Sequence, residues 1–238
     1  FWRGVIGMIF LALLAHRQGV TLRTSYPGMH TWRSVIGVFS LGAWFYAIAG
    51  MPLATAMTLN YMSSVWIAAF LVGGALLAWV PLRGRDGRVA PPPLQVPLVM
   101  TVLVGFGGVV LVLRPSVGAD QGLAGLSGLL SGMTAAFAYM QVIALSRIGE
   151  PETRTVFYFA MGSAVFGGLG TLVTGMSPWS WSPALWLLPV GLLAAGGQLC
   201  MTRAYSSART SAATLVVANL QYSGIIFAAL YSLLLFKD

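Results

Sequence analysis

Reactive and charged side chains are scarce in this sequence. A single cysteine, Cys200, excludes an internal disulfide and any metal site built from several thiolates. It lies in an apolar stretch, where a small buried thiol is expected. The two histidines, His16 and His30, have no acidic or cysteine companions at ligand spacing, so no metal and no cofactor is expected. The five acidic residues, Asp86, Asp120, Glu150, Glu152 and Asp238, all fall in gaps between apolar runs or at the chain end. No apolar segment carries Asp, Glu or His at its centre, which removes the usual intramembrane proton relay. Charge as a whole is thin. Charged residues make up 8% of the 238, where a soluble domain has about a quarter.

What fills the chain is hydrophobic. Apolar residues make up 58% and mean hydropathy is +0.83, which places the chain in a bilayer. The 13 Lys and Arg against 5 Asp and Glu do not mark a nucleic-acid binder, because they sit in short gaps with no continuous basic face. The sequence opens inside an apolar run at Phe1-Trp2, without an initiating Met, and closes at Lys237-Asp238 just after another. Both ends read as cut, with one helix expected before the first run and one after the last.

A spanning helix takes roughly 20 mostly apolar residues. Eight segments meet or approach that length: Phe1–Ala15, Arg33–Gly50, Ala54–Val80, Gln95–Leu113, Gly122–Ser146, Thr155–Gly175, Ala184–Ala204 and Thr210–Phe236. Turn-forming residues fill the gaps, and the apolar runs are too long and too unalternating for strands. The expected fold is all-α, a polytopic membrane bundle with eight helices present of ten. Counting alternate gaps as one side, ten of the 13 Lys and Arg share it, and Arg3, Arg114 and Lys237 lie opposite. That bias puts the rich side in the cytoplasm.

Two stretches look alike. Ala47 to Ala56 lies over Ala204 to Ala213, and Phe1-Trp2…Phe10 over Phe157-Tyr158…Phe166. Each copy of the first pattern leads into a polar run within an apolar helix. These runs are Leu59-Asn60-Tyr61-Met62-Ser63-Ser64 and Leu220-Gln221-Tyr222-Ser223-Gly224. The division that follows is residues 1–114 as a first repeat and 120–238 as a second. Five helices per repeat, an odd number, would set the two in opposite orientations.

These words, with Pro52-Leu53-Ala54-Thr55-Ala56 ahead of the first and Phe236-Lys237-Asp238 after the second, resemble the drug/metabolite transporter superfamily, EamA type. Members of that family have ten helices as two inverted five-helix repeats. The family often has an aromatic-small-small-Pro run at the first place, and Ser64 stands where that Pro is common. Asp238 stands where a Glu is usual. The resemblance covers nearly the whole chain and implies a carrier of small organic metabolites in the bacterial inner membrane. Its branch with S-adenosylmethionine uptake carriers and amino-acid exporters is the most similar.

A carrier needs groups that replace substrate hydration at mid-membrane. The candidates for substrate binding are Asn60, Tyr61 and Ser64 in the third segment, Tyr139 in the fifth, Gln198 in the seventh, and Asn219, Gln221 and Tyr222 in the eighth. Each could instead hold helices together by a hydrogen bond worth about 0.6 kcal/mol on average. Trp44 would add an aromatic wall for a flat or apolar cargo, or else pack against lipid. Arg3, near the outer end of the first segment, would either meet a carboxylate through its planar fork or snorkel to the interface.

Glycines at 122, 125, 128 and 132 recur at spacings of three and four, which makes a smooth helix face. Gly105-Phe106-Gly107-Gly108 lacks the Lys-Ser/Thr of a phosphate loop and lies in a spanning segment. Pro189 is expected to kink its helix. The expected partners are a small organic metabolite and the lipid bilayer, with a homodimer left open and no nucleic acid. The reading is of a facilitator or exchanger and not an enzyme. A membrane-embedded enzyme would need a His near Glu150 or Glu152, and the sequence puts none beside them. A non-transporting assembly subunit is the third reading.

Overall fold

The computed structural model describes residues 1–77, 96–114, 118, 120–175 and 180–231. The gap from Gly84 to Pro93, the segment ends after Leu77 and Tyr231, Ser177 to Trp179, and Phe236-Lys237-Asp238 lie outside them. The helices are α1 (Trp2–Arg17), α2 (Pro27–Gly50), α3 (Leu53–Tyr61), α4 (Ser63–Leu77), α5 (Val96–Leu113) and α6 (Gly122–Arg147). They continue with α7 (Glu152–Thr174), α8 (Trp181–Leu185), α9 (Leu187–Ser207), α10 (Ser211–Leu220) and α11 (Ser223–Tyr231). There is no strand among the described residues. Four stretches, Pro27–Gly50, Leu53–Ala75, Gly122–Arg147 and Glu152–Thr174, are long and apolar enough to cross a membrane. Large side chains such as Leu172 (83% exposed), Val173 (87%) and Leu111 (77%) stand fully out from the fold. Water would penalise that surface and lipid does not, so this is a multi-pass integral membrane protein.

Two helices start earlier than their apolar runs. α2 begins at Pro27, six residues ahead of Arg33, because proline suits the first helical position, where its missing N–H is not needed. α7 likewise starts at Glu152, directly after Pro151. Pro189 does not kink a helix interior. It falls in the first turn of α9, and the interruption lies just before it at Trp186, next to the Leu185 carbonyl that its ring would meet.

By internal contacts the chain forms two units, Phe1–Gly42 with Phe137–Ala208 and Ala43–Ala136 with Arg209–Asp238. In the first, α1 packs on α7 and α9. A Cβ on Gly4 would lie 2.5 Å from the Ala164 backbone nitrogen, and one on Gly191 would lie 2.7 Å from Ile6. Bare glycine backbones thus set the helix separation, as expected where lipid offers no hydrophobic drive. Leu11, Val156, Ala160, Ala195 and Leu199 fill this core.

The loops of the first unit are tied by a buried carboxylate. Glu150 accepts from the Thr24 hydroxyl (2.8 Å) and from Arg154 (3.0 Å), and lies 3.1 Å from His30 Nε2. His30 stacks on Tyr158, whose hydroxyl donates to the Leu22 carbonyl at 3.0 Å. Arg154 also donates to the Thr21 carbonyl, and Ser206 donates to Glu152 at 2.9 Å. Burial alone would raise the Glu150 carboxyl pKa. The hydrogen bonds from Thr24, His30 and Arg154, with the Arg154 charge, outweigh burial and hold it below its ordinary value. The sequence reading that Glu150 has no histidine near it is therefore corrected. His30 is brought to it across 120 residues of chain.

In the second unit, α4, α5 and α10 pack around Ala68, Val102 and Leu215, with α3 against α4 and α5. A second cluster joins Ala47, Met51, Ala56 and Ala124. The Thr210 hydroxyl caps α10 by accepting from the Ala213 N–H at 3.1 Å. Cys200 is exposed on α9, against the expectation of a buried thiol, because that face of the helix is uncovered among the described residues.

Candidate functional site

Both polar runs fall where the helix is interrupted. α3 ends at Tyr61 and α4 begins at Ser63, with Met62 between them bonding back three residues to the Leu59 carbonyl. α10 ends at Leu220, and the N–H groups of Gln221, Tyr222, Gly224 and Ile225 all bond back three residues before α11 runs on. Such a short 3₁₀ stretch inside a helix is a common hinge. No proline is involved at either place. Asn60 and Ser63 at the first turn, and Gln221 and Ser223 at the second, bring polar groups where the regular ladder tightens.

The two turns meet. Ser64 donates to the Ala218 carbonyl at 2.7 Å, and Ser63 donates to Gln221 Oε1 at 3.3 Å. The rings of Tyr61 and Tyr222 lie edge to face with centroids 6.1 Å apart. Glycines make room for both. A Cβ on Gly105 would sit 2.8 Å from the Tyr222 ring and from Asn219 Oδ1, and one on Gly224 would sit 3.0 Å from the Tyr61 hydroxyl. Tyr222 donates to the Val102 carbonyl at 3.4 Å. On the other side, Asn60 donates to Ser131 at 3.2 Å, and a Cβ on Gly132 would be 2.6 Å from the Leu59 carbonyl oxygen. The glycine face of α6 is therefore used in part. Gly128 and Gly132 press on α3, whereas Gly122 has open space around it.

Tyr61, Tyr222, Asn60, Ser64, Asn219 and Gln221 are thus gathered around one junction in the second unit. Trp44 belongs to the same unit, stacks on Phe45, and keeps its buried indole N–H without a partner among the described residues. Trp66, not singled out in the sequence, does the same one turn beyond the junction. An indole nitrogen only donates, so each is a donor free for a ligand acceptor.

The other three candidates belong to the first unit. Tyr139 is stacked on Tyr205 with centroids 4.7 Å apart. Arg3 and Gln198 line one cavity of about 20 Å³ with Gly4, Gly7, Phe159 and Ser163. Gln198 and Ser163 lie near the midpoints of α9 and α7, and Arg3, in the first turn of α1, lines the same cavity. Sequence reasoning also passed over Arg33, counted there only for topology. The signal was Pro27, which starts α2 early enough to carry Arg33 into its second turn.

Among the described residues there is no group of three or more His, Cys, Asp or Glu able to hold a metal. No family model matches the chain. It is 31% identical over 238 residues to the pseudopaline exporter of Pseudomonas aeruginosa, covering 96% of this chain and 74% of that protein. It is 29% identical over 209 residues to a riboflavin transporter of Rhizobium johnstonii, covering 87% of this chain and 64% of that one. One solved crystal structure has the same fold, at a TM-score of 0.61 and 21% identity, over 96% of this chain and 79% of the other.

Proposed function

We propose that this chain, which belongs to the family of membrane transporters that includes the pseudopaline exporter of Pseudomonas aeruginosa, is an inner-membrane secondary carrier. It moves a small organic metabolite by alternating access, as a facilitator or exchanger. The EamA-type pattern of two inverted repeats, residues 1–114 and 120–238, is the architecture that goes with this reading. The relatives' own cargoes, pseudopaline and riboflavin, favour an organic molecule with polar groups.

The observation that carries the reading is the Tyr61–Tyr222 ring pair at two facing helix interruptions. A ligand at such a junction meets aromatic edges, amides and hydroxyls without a buried charge. The tightened turns are where the flanking helix halves can change angle. Substrate binding is assigned to Tyr61, Tyr222, Asn60, Ser64, Asn219 and Gln221, with Trp44 as an aromatic wall and donor. Tyr139, Gln198 and Arg3 form a second set in the first unit.

Exchange in proteoliposomes tests this. Vesicles holding the purified chain and one unlabelled solute, taken in turn from amino acids, S-adenosylmethionine and riboflavin, would be offered the same solute labelled outside. Accumulation that is lost in Tyr61→Ala and Tyr222→Ala supports the reading. Accumulation untouched by either change would move the site away from the junction.

A further inference from the structure

Arg33 is a buried cation with no carboxylate partner among the described residues. It is 3% exposed, and its Nε and Nη1 are buried without a hydrogen-bond partner. The guanidinium lies over the Phe159 ring, 4.6 Å from the centroid. It is admitted there by Gly37, whose missing Cβ would collide with Nη1 and would lie 2.8 Å from Phe159. A ring face attracts a cation but does not satisfy N–H donors. The described carboxylates of this unit are engaged elsewhere. Glu150 is held by Thr24, His30 and Arg154, and Glu152 by Ser206. The Tyr139 hydroxyl is within electrostatic reach of Arg33 and supplies a second polar group. Phe159 also lines the small cavity that holds Arg3, Gln198 and Ser163, whose buried Oγ has no hydrogen-bond partner among the described residues.

An unpaired charge removed from water is among the costliest arrangements a fold can keep. The guanidinium fork has the geometry to grip a carboxylate. We propose that Arg33 is the anion-binding residue of a carboxylate site in the first unit, and that the cargo carries at least one carboxylate. This rests on the carrier reading and names its substrate class. One fully buried cation balances one negative charge, which selects a carboxylate over a phosphate dianion. The cavity beside Phe159 has room for about one water.

The test is thermal unfolding of the purified chain in detergent with matched probes that differ only in charge. Benzoate is compared with benzamide, N-acetylglycine with its amide, and inorganic phosphate is run alongside. The acids are expected to raise the unfolding temperature and the amides are not. In Arg33→Met the apparent affinity for the acids should fall at least tenfold, while the unliganded protein unfolds at a higher temperature than the native chain. Arg33→Lys should recover part of the response, and Phe159→Leu should keep it. Equal effects of acid and amide, a stronger effect of phosphate, or an unchanged response in Arg33→Met would overturn the proposal. An Arg33→Met chain that is less stable or does not fold would mark Arg33 as structural and overturn it too. The exchange assay is separate: acid binding without exchange leaves the site and sinks the carrier reading, and exchange without acid binding does the reverse.

Discussion

Tyr61 and Tyr222 meet ring to ring, 6.1 Å between centroids and 60° between planes, each set at an interruption of its helix. The two hydroxyls are used differently. That of Tyr222 donates to the Val102 carbonyl, whereas that of Tyr61 lies over the bare Gly224 and forms no hydrogen bond among the described residues. Tyr61→Phe is therefore expected to leave stability within about 0.5 kcal/mol of the native value. It should weaken substrate exchange if that hydroxyl meets cargo. A double-mutant cycle of Tyr61→Ala and Tyr222→Ala should show a coupling of about 0.5–1.5 kcal/mol from the ring contact. A coupling near zero in denaturant titrations would mean that the rings merely adjoin.

Adding one methyl at Gly132 should cost more than adding one at Gly107. A Cβ at Gly132 would be 2.6 Å from the Leu59 carbonyl oxygen, whereas nothing lies within 4 Å of one at Gly107. Gly132→Ala is expected to destabilise by roughly 1–3 kcal/mol through forced backbone movement at the α3–α4 turn. Gly107→Ala should be neutral or stabilising by up to about 1 kcal/mol, since alanine favours helix. Unfolding midpoints of the two variants side by side check this.

Acid should loosen the loops of the first unit. The Glu150 carboxyl has a lower pKa folded than unfolded, so the stability it contributes is fully present above its unfolded value. That contribution disappears as pH falls through the folded value. At neutral pH the native chain should unfold at a higher temperature than Glu150→Ala, which takes from Arg154 its buried carboxylate partner. As pH falls through the folded value of Glu150 the two should converge. Parallel curves across the whole range would show that Glu150 acts by packing alone.

How much of this could be read from the chain differs by feature. The apolar runs located the helices, because a span must satisfy its backbone internally and only length and hydropathy are needed to see it. The starts at Pro27 and Glu152 were missed because polar first turns do not look apolar. The interruptions at Met62 and Gln221-Tyr222 leave no mark in hydropathy, but the polar residues clustered there did draw attention. What could not be read was pairing across the sequence. His30 with Glu150, and Arg33 over Phe159 with no carboxylate among the described residues, are facts about which helix faces meet, and no local spacing carries them.

Cys200 should react as a single handle. It is the sole thiol of the 238 residues and stands exposed on α9. A lipid-soluble maleimide is expected to label the native chain once, without denaturant, and Cys200→Ser should abolish labelling. Labelling only after unfolding would show that the face is covered in the intact protein.

The packing of α1 also has a consequence for biosynthesis. Gly4 and Gly7 rest on α7 and α9, which leave the ribosome long after α1 does. Until then the smooth face of α1, with Arg3 beside it, must wait in the translocon or the lipid without its partners. A nascent chain arrested before Ser207 would still lack the end of α9 and would hold that face open. Such arrested chains are where quality-control proteases should cut first, and the finished chain should resist them.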